Sequence, residues 1–362
     1  MTDRNYAVIL AGGKGQRFWP LSTSRRPKQL MDLVDGKPLV ALSVERLQGM
    51  MPPERIFVIT GIELEEAVRN AVPWLPPGNV VGEPVGRDTA AAVALGMALV
   101  SSRDPDGSFC ILTADHVIGP RERFHVSLRD SFMLAAARDC LITFGIPPSF
   151  ASTGFGYIEC GDPVDGPGST EFFHACRFVE KPDKETAESY LSKGNYFWNS
   201  GMFVWSVSAL GAALRRHRPD LHAMSERLKN AAGSPALASV LNEEYAKLKG
   251  VSIDYALMEQ ADNIVMAKAS FEWDDIGAWS AVAKYLPSDT DGNSCLGACE
   301  LLESANNIVV SEGNRLTAMI GVNDLVVVQA GNATLVCARD EVQKVKTMVE
   351  RLRESGRYDK EL

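Results

Sequence analysis

The sequence predicts an α/β fold, a mostly parallel sheet flanked by helices, followed by a small β-rich module and a final helix. Three observations predict it. Up to about residue 285, short apolar runs alternate with stretches of helical periodicity, as in a parallel sheet with helical crossovers. From about Ser288 those stretches give way to short apolar runs between recurring turn signals. The 362 residues suit about two domains at roughly 150 residues each, and 46% apolar residues supply material for their cores.

Strands are predicted over residues 6–10, 56–60, 108–113, 141–145, 177–179, 201–206 and 263–267. Helices are predicted over 63–70, 88–102, 121–138, 184–192 and 208–217; the second is almost wholly apolar and reads as buried. In sheets of this kind ligands bind beyond the carboxyl ends of the strands, so motifs just after a strand carry the most weight. In the tail, turns at Asn306-Asn307, Gly313-Asn314, Gly321 to Asn323 and Gly331-Asn332 separate short strands of an all-β module. The last helix carries Val342, Val345, Met348, Val349 and Leu352 on one face. That stripe packs on its own domain by default, or on a second subunit to make a homodimer. The boundary is placed within 289–293, giving domains 1–287 and 288–362.

Formal charge is −9, which argues against a nucleic-acid or anionic-membrane binder. The first 30 residues are the exception: Arg4, Lys14, Arg17, Arg25, Arg26 and Lys28 face only Asp3. This is either a solvated basic face or a pocket for a small polyanion. Seven cysteines without a C-x-x-C pair point to reduced thiols in a cytoplasmic protein. No secretory peptide is visible, and the longest charge-free apolar stretch, 89–102, is too short to span a bilayer.

The strongest local signal is Ala7-Val-Ile-Leu-Ala-Gly-Gly-Lys-Gly-Gln-Arg-Phe-Trp-Pro-Leu-Ser22. A buried strand runs through Leu10 and Ala11 into Gly12, Gly13 and Gly15, where missing β-carbons let backbone N–H groups approach phosphates. Arg17 and Lys28 can add charge-assisted contacts. It is not a Walker A loop, because no Gly-Lys-Ser/Thr follows, and it is not the dinucleotide fingerprint, because position 18 holds Phe18. With the later Arg-Pro-Lys-Gln, the stretch resembles the signature of the sugar nucleotidyltransferase family. Its Trp-Pro-Leu-Ser and Pro-Lys-Gln portions are similar to the mannose-1-phosphate guanylyltransferase branch. The resemblance extends through four further motifs into the tail. It implies a Rossmann-like catalytic domain with a β-helix-like C-terminal module, and a loop that wraps a nucleoside triphosphate. Arg17 and Lys28 would then steady its phosphates and the leaving pyrophosphate.

The further motifs each have an ordinary structural use. Gly82-Glu83-Pro84-Val-Gly-Arg87-Asp88-Thr89 opens the apolar helix, with Asp88 or Thr89 as its N-cap. By resemblance the segment lies beside guanine. The family usually has asparagine where this chain has Asp88, whose carboxylate could accept from the base or could only cap the helix. Asp115 ends a buried run, where an acid commonly caps a helix or joins a salt bridge, and Asp275 sits between tryptophans. The resemblance makes these two the ligands of Mg²⁺, with Asp274 a non-ligand neighbour. Mg²⁺ suits one or two carboxylates completed by waters and substrate phosphates.

Gly154-Phe-Gly156-Tyr-Ile reads as a hairpin or tight turn, Phe-Val-Glu180-Lys181-Pro-Asp183 as a surface pair before a capped helix, and the aromatic run 196–205 as core. In this order they match the family's acceptor site, which assigns Lys181 to the phosphate of the sugar 1-phosphate and Gly156, Glu180 and Asn199 to the sugar. Asp254 and Tyr255, in another family-like stretch, receive only a helix start and packing. The implied reaction joins GTP and mannose 1-phosphate to give GDP-mannose and pyrophosphate. Its rivals are another hexose or heptose 1-phosphate or another nucleotide, and a non-catalytic sensor of nucleotide sugars. Sensors tend to lose the metal acids or the loop arginine, and this chain keeps both. Some bacterial members add an isomerase domain after the tail, and none is expected within residues 1–362.

Overall fold

The computed structural model describes residues 4–13 and 15–362. They form two compact units, neither continuous in sequence. The first holds the chain through Ala11, Val44–Thr113 and Ile118–Trp273; the second holds Gly12–Ser43, Ala114–Val117 and Asp274–Leu362.

Eleven strands come first along the chain: β1 (Asn5–Leu10), β2 (Ile56–Gly61), β3 (Val80–Glu83), β4 (Ser108–Thr113), β5 (Val117–Gly119), β6 (Leu141–Ile146), β7 (Tyr157–Val164), β8 (Phe172–Val179), β9 (Tyr196–Ser206), β10 (Ile264–Lys268) and β11 (Glu272–Asp274). All but β5 and β11 build one sheet in the first unit, ordered β3-β2-β1-β4-β9-β6-β10-β8-β7. Its β1–β2, β1–β4, β2–β3 and β6–β10 pairs are parallel. Strand β9 runs antiparallel to β4, β6 and β7, and β8 antiparallel to β10 and β7. Only β8 and β9 therefore oppose the common direction, and the α/β sheet is the one expected.

The central strands are apolar on both faces because helices cover both. The helix Asp88–Arg103 is buried along almost its whole length, its alanines allowing close approach. Two helices absent from the prediction, Pro219–Ala231 and Leu237–Lys247, add Leu221, Met224, Leu228, Leu241 and Tyr245 to the same cluster. The aromatic run expected as core is β9 itself, all but its last residue, and the expected turn near Gly156 leads directly into β7.

In the second unit, β12 (Ser294–Leu296), β14 (Ile308–Ser311) and β16 (Leu325–Ala330) pair in parallel, β17 (Ala333–Ala338) closes that sheet, and β13 (Cys299–Leu302) pairs with β15 (Thr317–Ile320). The turn asparagines explain the stacking. Asn307 Nδ2 donates to Asn293 Oδ1 at 2.9 Å, while Asn307 Oδ1 accepts from Leu325 N–H at 2.9 Å. Each coil thus satisfies the backbone of the next.

The final helix, Val345–Ser355, buries Val345 and Val349, with Val342 just before it, against Phe18, Trp279, Ile308 and Val326 of its own unit. Met348 stays 45% exposed, so the predicted stripe is narrower than drawn. Among the described residues no helix is long and apolar enough to cross a membrane.

Candidate active site

The glycine loop begins where β1 ends. Ala11 N–H donates to Ile59 C=O at 2.7 Å, and Thr60 Oγ1 donates to Ala11 C=O at 3.0 Å, so Leu10 and Ala11 stay with the sheet. Gly12, Gly13 and Gly15 start the second unit. Gly15 has φ +56°, and a β-carbon there would lie 2.6 Å from Lys28 Cβ and 2.9 Å from Lys28 N. No side chain fits that approach. A single 3₁₀ turn, Gln16–Phe18, follows. Phe18 packs edge-on against Trp279 at 5.3 Å, which anchors the turn carrying Arg17.

Lys28 is 7% exposed. Its Nζ donates to Asp115 Oδ2 at 2.8 Å and to the Asp275 carbonyl, joining two acids 160 residues apart in sequence. Asp115 follows β4, and Asp275 follows β11. Burial alone would raise the Asp115 carboxyl, but the Lys28 ammonium, then His116, outweigh it and hold it below its usual value. Burial raises the Asp275 carboxyl, with Asp274 and Asp115 adding like-charge repulsion against the pull of Lys28.

Asp274 is committed to structure. It accepts from Ile276 N–H at 2.8 Å and Tyr285 Oη at 3.0 Å, and pairs with Lys284. Ile276, buried at φ 41°, is a β-branched residue in the left-handed region, and this strained turn fixes the direction of Asp275. A cavity of about 320 Å³ opens here, lined by Gly15, Arg17, Lys28, Asp115, His116, Asp275 and Lys346. Lys346, on the final helix, was not among the predicted site residues; nothing in local pattern distinguishes it from a solvated lysine.

In the first unit, Glu83 ends β3, and burial raises its carboxyl to about 7 although Tyr245 Oη donates to its Oε1 at 3.0 Å. Tyr245 also accepts at its carbonyl from Arg87 Nε at 2.9 Å, so it clamps both ends of the segment; Pro84 between them is half-buried. The expected N-cap is not made. Arg87 occupies the cap position, and Asp88, at φ 64°, accepts only from its neighbour Thr89 N–H at 2.7 Å. The left-handed backbone at Asp88 directs its carboxylate to the adjacent amide instead of the next turn. The Thr89 hydroxyl accepts from Ile253 N–H at 2.8 Å.

The next residue, Asp254, accepts from Asn199 Nδ2 at 2.7 Å. Asn199 N–H donates to Gly156 C=O at 2.8 Å, and a β-carbon on Gly156 would collide with Glu180 Oε2. Gly156, Glu180, Asn199 and Asp254 therefore form one patch. Lys181 pairs with Glu180 at 3.1 Å yet is 63% exposed, at a left-handed φ of 45°. Burial, then Glu180, raises the Asp254 carboxyl to about 6. Besides Lys346, Asp254 and Tyr245 received no site role from the sequence. The family-like stretch signalled the former; for the latter there was no signal.

The fold, the glycine loop and the paired acids define a class. Residues 6–292 match the nucleotidyl transferase family model, and the chain belongs to that family. Residues 300–352 match the MannoseP isomerase/GMP-like beta-helix domain. The chain is 36% identical to mannose-1-phosphate guanylyltransferase ManC of Salmonella typhimurium, covering 98% of this chain and 74% of that one. It is 35% identical to mannose-1-phosphate guanylyltransferase of Escherichia coli K12, with the same coverages. Among solved structures it is similar to a mannose-1-phosphate geranyltransferase from Thermus thermophilus, with TM-score 0.84, 34% identity, and 97% and 99% of the two chains covered.

Proposed function

We propose that the protein transfers GMP from GTP to mannose 1-phosphate, giving GDP-mannose and pyrophosphate, with Mg²⁺ as cofactor. The observation that carries it is the Lys28 ammonium held between Asp115 and Asp275 beside the glycine loop. The similar curated proteins support the choice of sugar and nucleotide.

The residues fit the metal. Asp115 adds like-charge repulsion to the Asp275 carboxylate, which has no hydrogen bond or ion pair among the described residues. No cluster of three or more His, Cys, Asp or Glu among the described residues is placed to hold a metal alone. That matches Mg²⁺, which completes two carboxylates with waters and phosphate oxygens. Bound by Asp115 and Asp275, it would neutralise charge growing on the transferred phosphoryl group.

The sugar phosphate is already an anionic nucleophile and needs no side-chain base. One of its oxygens bonds to the α-phosphorus of GTP while the bond to the bridging oxygen of the β-phosphate breaks, and pyrophosphate leaves. Arg17, Lys28 and the N–H groups of Gly12, Gly13 and Gly15 would hold the triphosphate. Leu10, Ala11, Glu83, Pro84, Arg87, Asp88 and Thr89 would line the nucleoside. Lys181 would hold the attacking phosphate, and Gly156, Glu180 and Asn199 the sugar. Positioning and electrostatics supply the acceleration.

A pyrophosphate-release assay with GTP and mannose 1-phosphate, with and without Mg²⁺, tests this. Release should require all three components. Release with a different sugar phosphate or triphosphate, but not with this pair, would overturn it.

A further inference from the structure

The final helix presents a basic edge to the phosphate loop. Val345 and Val349 share an apolar cluster with Phe18, so the helix packs on the turn carrying Arg17. Lys346 and Arg353, seven residues apart, fall on one edge of that buried stripe, about two turns apart. With the Gln16 amide oxygen facing the helix, Arg353 donates to it at 3.1 and 3.2 Å, docking the helix on the loop. Lys346 lines the cavity that holds Arg17, Lys28 and Asp275.

Its own pairing is weak. Glu350 lies 3.7 Å away, both side chains are about half exposed, and such pairs contribute little. Lys28 already bonds Asp115 and the Asp275 carbonyl. Lys346 therefore brings a positive charge to the cavity that is far less committed.

We propose that Lys346 binds the β- and γ-phosphates of the incoming triphosphate and the pyrophosphate that departs, so that the C-terminal module completes the phosphate site. This rests on the triphosphate chemistry proposed above. Lys346 makes and breaks no covalent bond; it contributes charge at the leaving-group end.

The test is calorimetric binding of inorganic pyrophosphate, with Mg²⁺, to the full chain. Lys346→Met should weaken binding about tenfold, the scale of one charge-assisted contact at a part-exposed site, while Lys346→Arg stays within about threefold of wild type. Lys344→Met, two residues away, paired with Glu341 and outside the cavity, should bind as wild type. Melting temperatures should agree, since both lysines are exposed. Wild-type affinity in Lys346→Met, equal losses at Lys344 and Lys346, or no binding by the wild type would each overturn the assignment. Turnover of GTP with mannose 1-phosphate is scored separately. A wild type that binds pyrophosphate but makes no product sinks the proposed function alone.

Discussion

The acid cluster of the second unit and the acid patch of the first answer the same electrostatic problem in opposite ways. Around Lys28, a buried ammonium sits against Asp115, and that carboxyl is held below its ordinary value. Around Asp254, the neighbouring carboxylate is Glu180, the cation Lys181 is largely exposed, and a neutral amide, Asn199, is the direct partner. The carboxyl there rises to about 6. In the proposed function, the cluster with its own cation is the one that would take the metal and phosphates. A patch of carboxylates and amides offers acceptors to hydroxyl groups, as a sugar requires.

The widest test of that contrast is Asp115→Asn. It leaves the shape intact and removes the charge opposite Lys28, so pyrophosphate release should fall roughly a thousandfold, the scale of several kcal/mol of transition-state stabilisation. Near-normal turnover would break the assignment of this cluster to the metal.

Asp254→Asn sharpens the other side. Replacing a charged acceptor costs about 1.5 kcal/mol, so the KM for mannose 1-phosphate should rise roughly tenfold. The KM for GTP should not move, and equal changes in both would merge the two roles.

The smallest effect concerns stability. Glu83 titrates at about 7 in the folded chain, above the ordinary carboxyl value of 4.5. The folded state therefore holds the proton longer than the unfolded one, and stability should decline as pH rises from 4.5 through 7. Denaturant melts of Glu83→Gln should show a shallower decline, mostly complete by pH 6, where Asp254 has titrated. An unchanged slope would mean that another group causes it.

Much of this was legible in the chain. The apolar runs predicted β1, β4 and β6 nearly to the residue, because a strand covered by helices on both faces has no polar alternation to blur it. The tail's asparagine and glycine turns marked its coils by residue type, although the hydrogen bonds of Asn293 and Asn307 that stack those coils reach 14 and 18 residues along the chain. Tyr245 was not legible. Nothing in its helix singles it out, and the value of its hydroxyl lies in Glu83, 162 residues earlier. The cap at Asp88 failed because a capping pattern presumes an ordinary backbone, and this residue adopts φ 64°.

Elements marked by a pattern of residue types within a few positions could be named from the sequence alone: the loop-bearing strand, the buried helix 88–103, the repeated turns. The pairing of Lys28 with Asp115 and Asp275 could not. Those contacts depend on which strands end side by side and on a strained turn at Ile276, and loops of 87 and 247 residues carry no local trace of where their ends will meet.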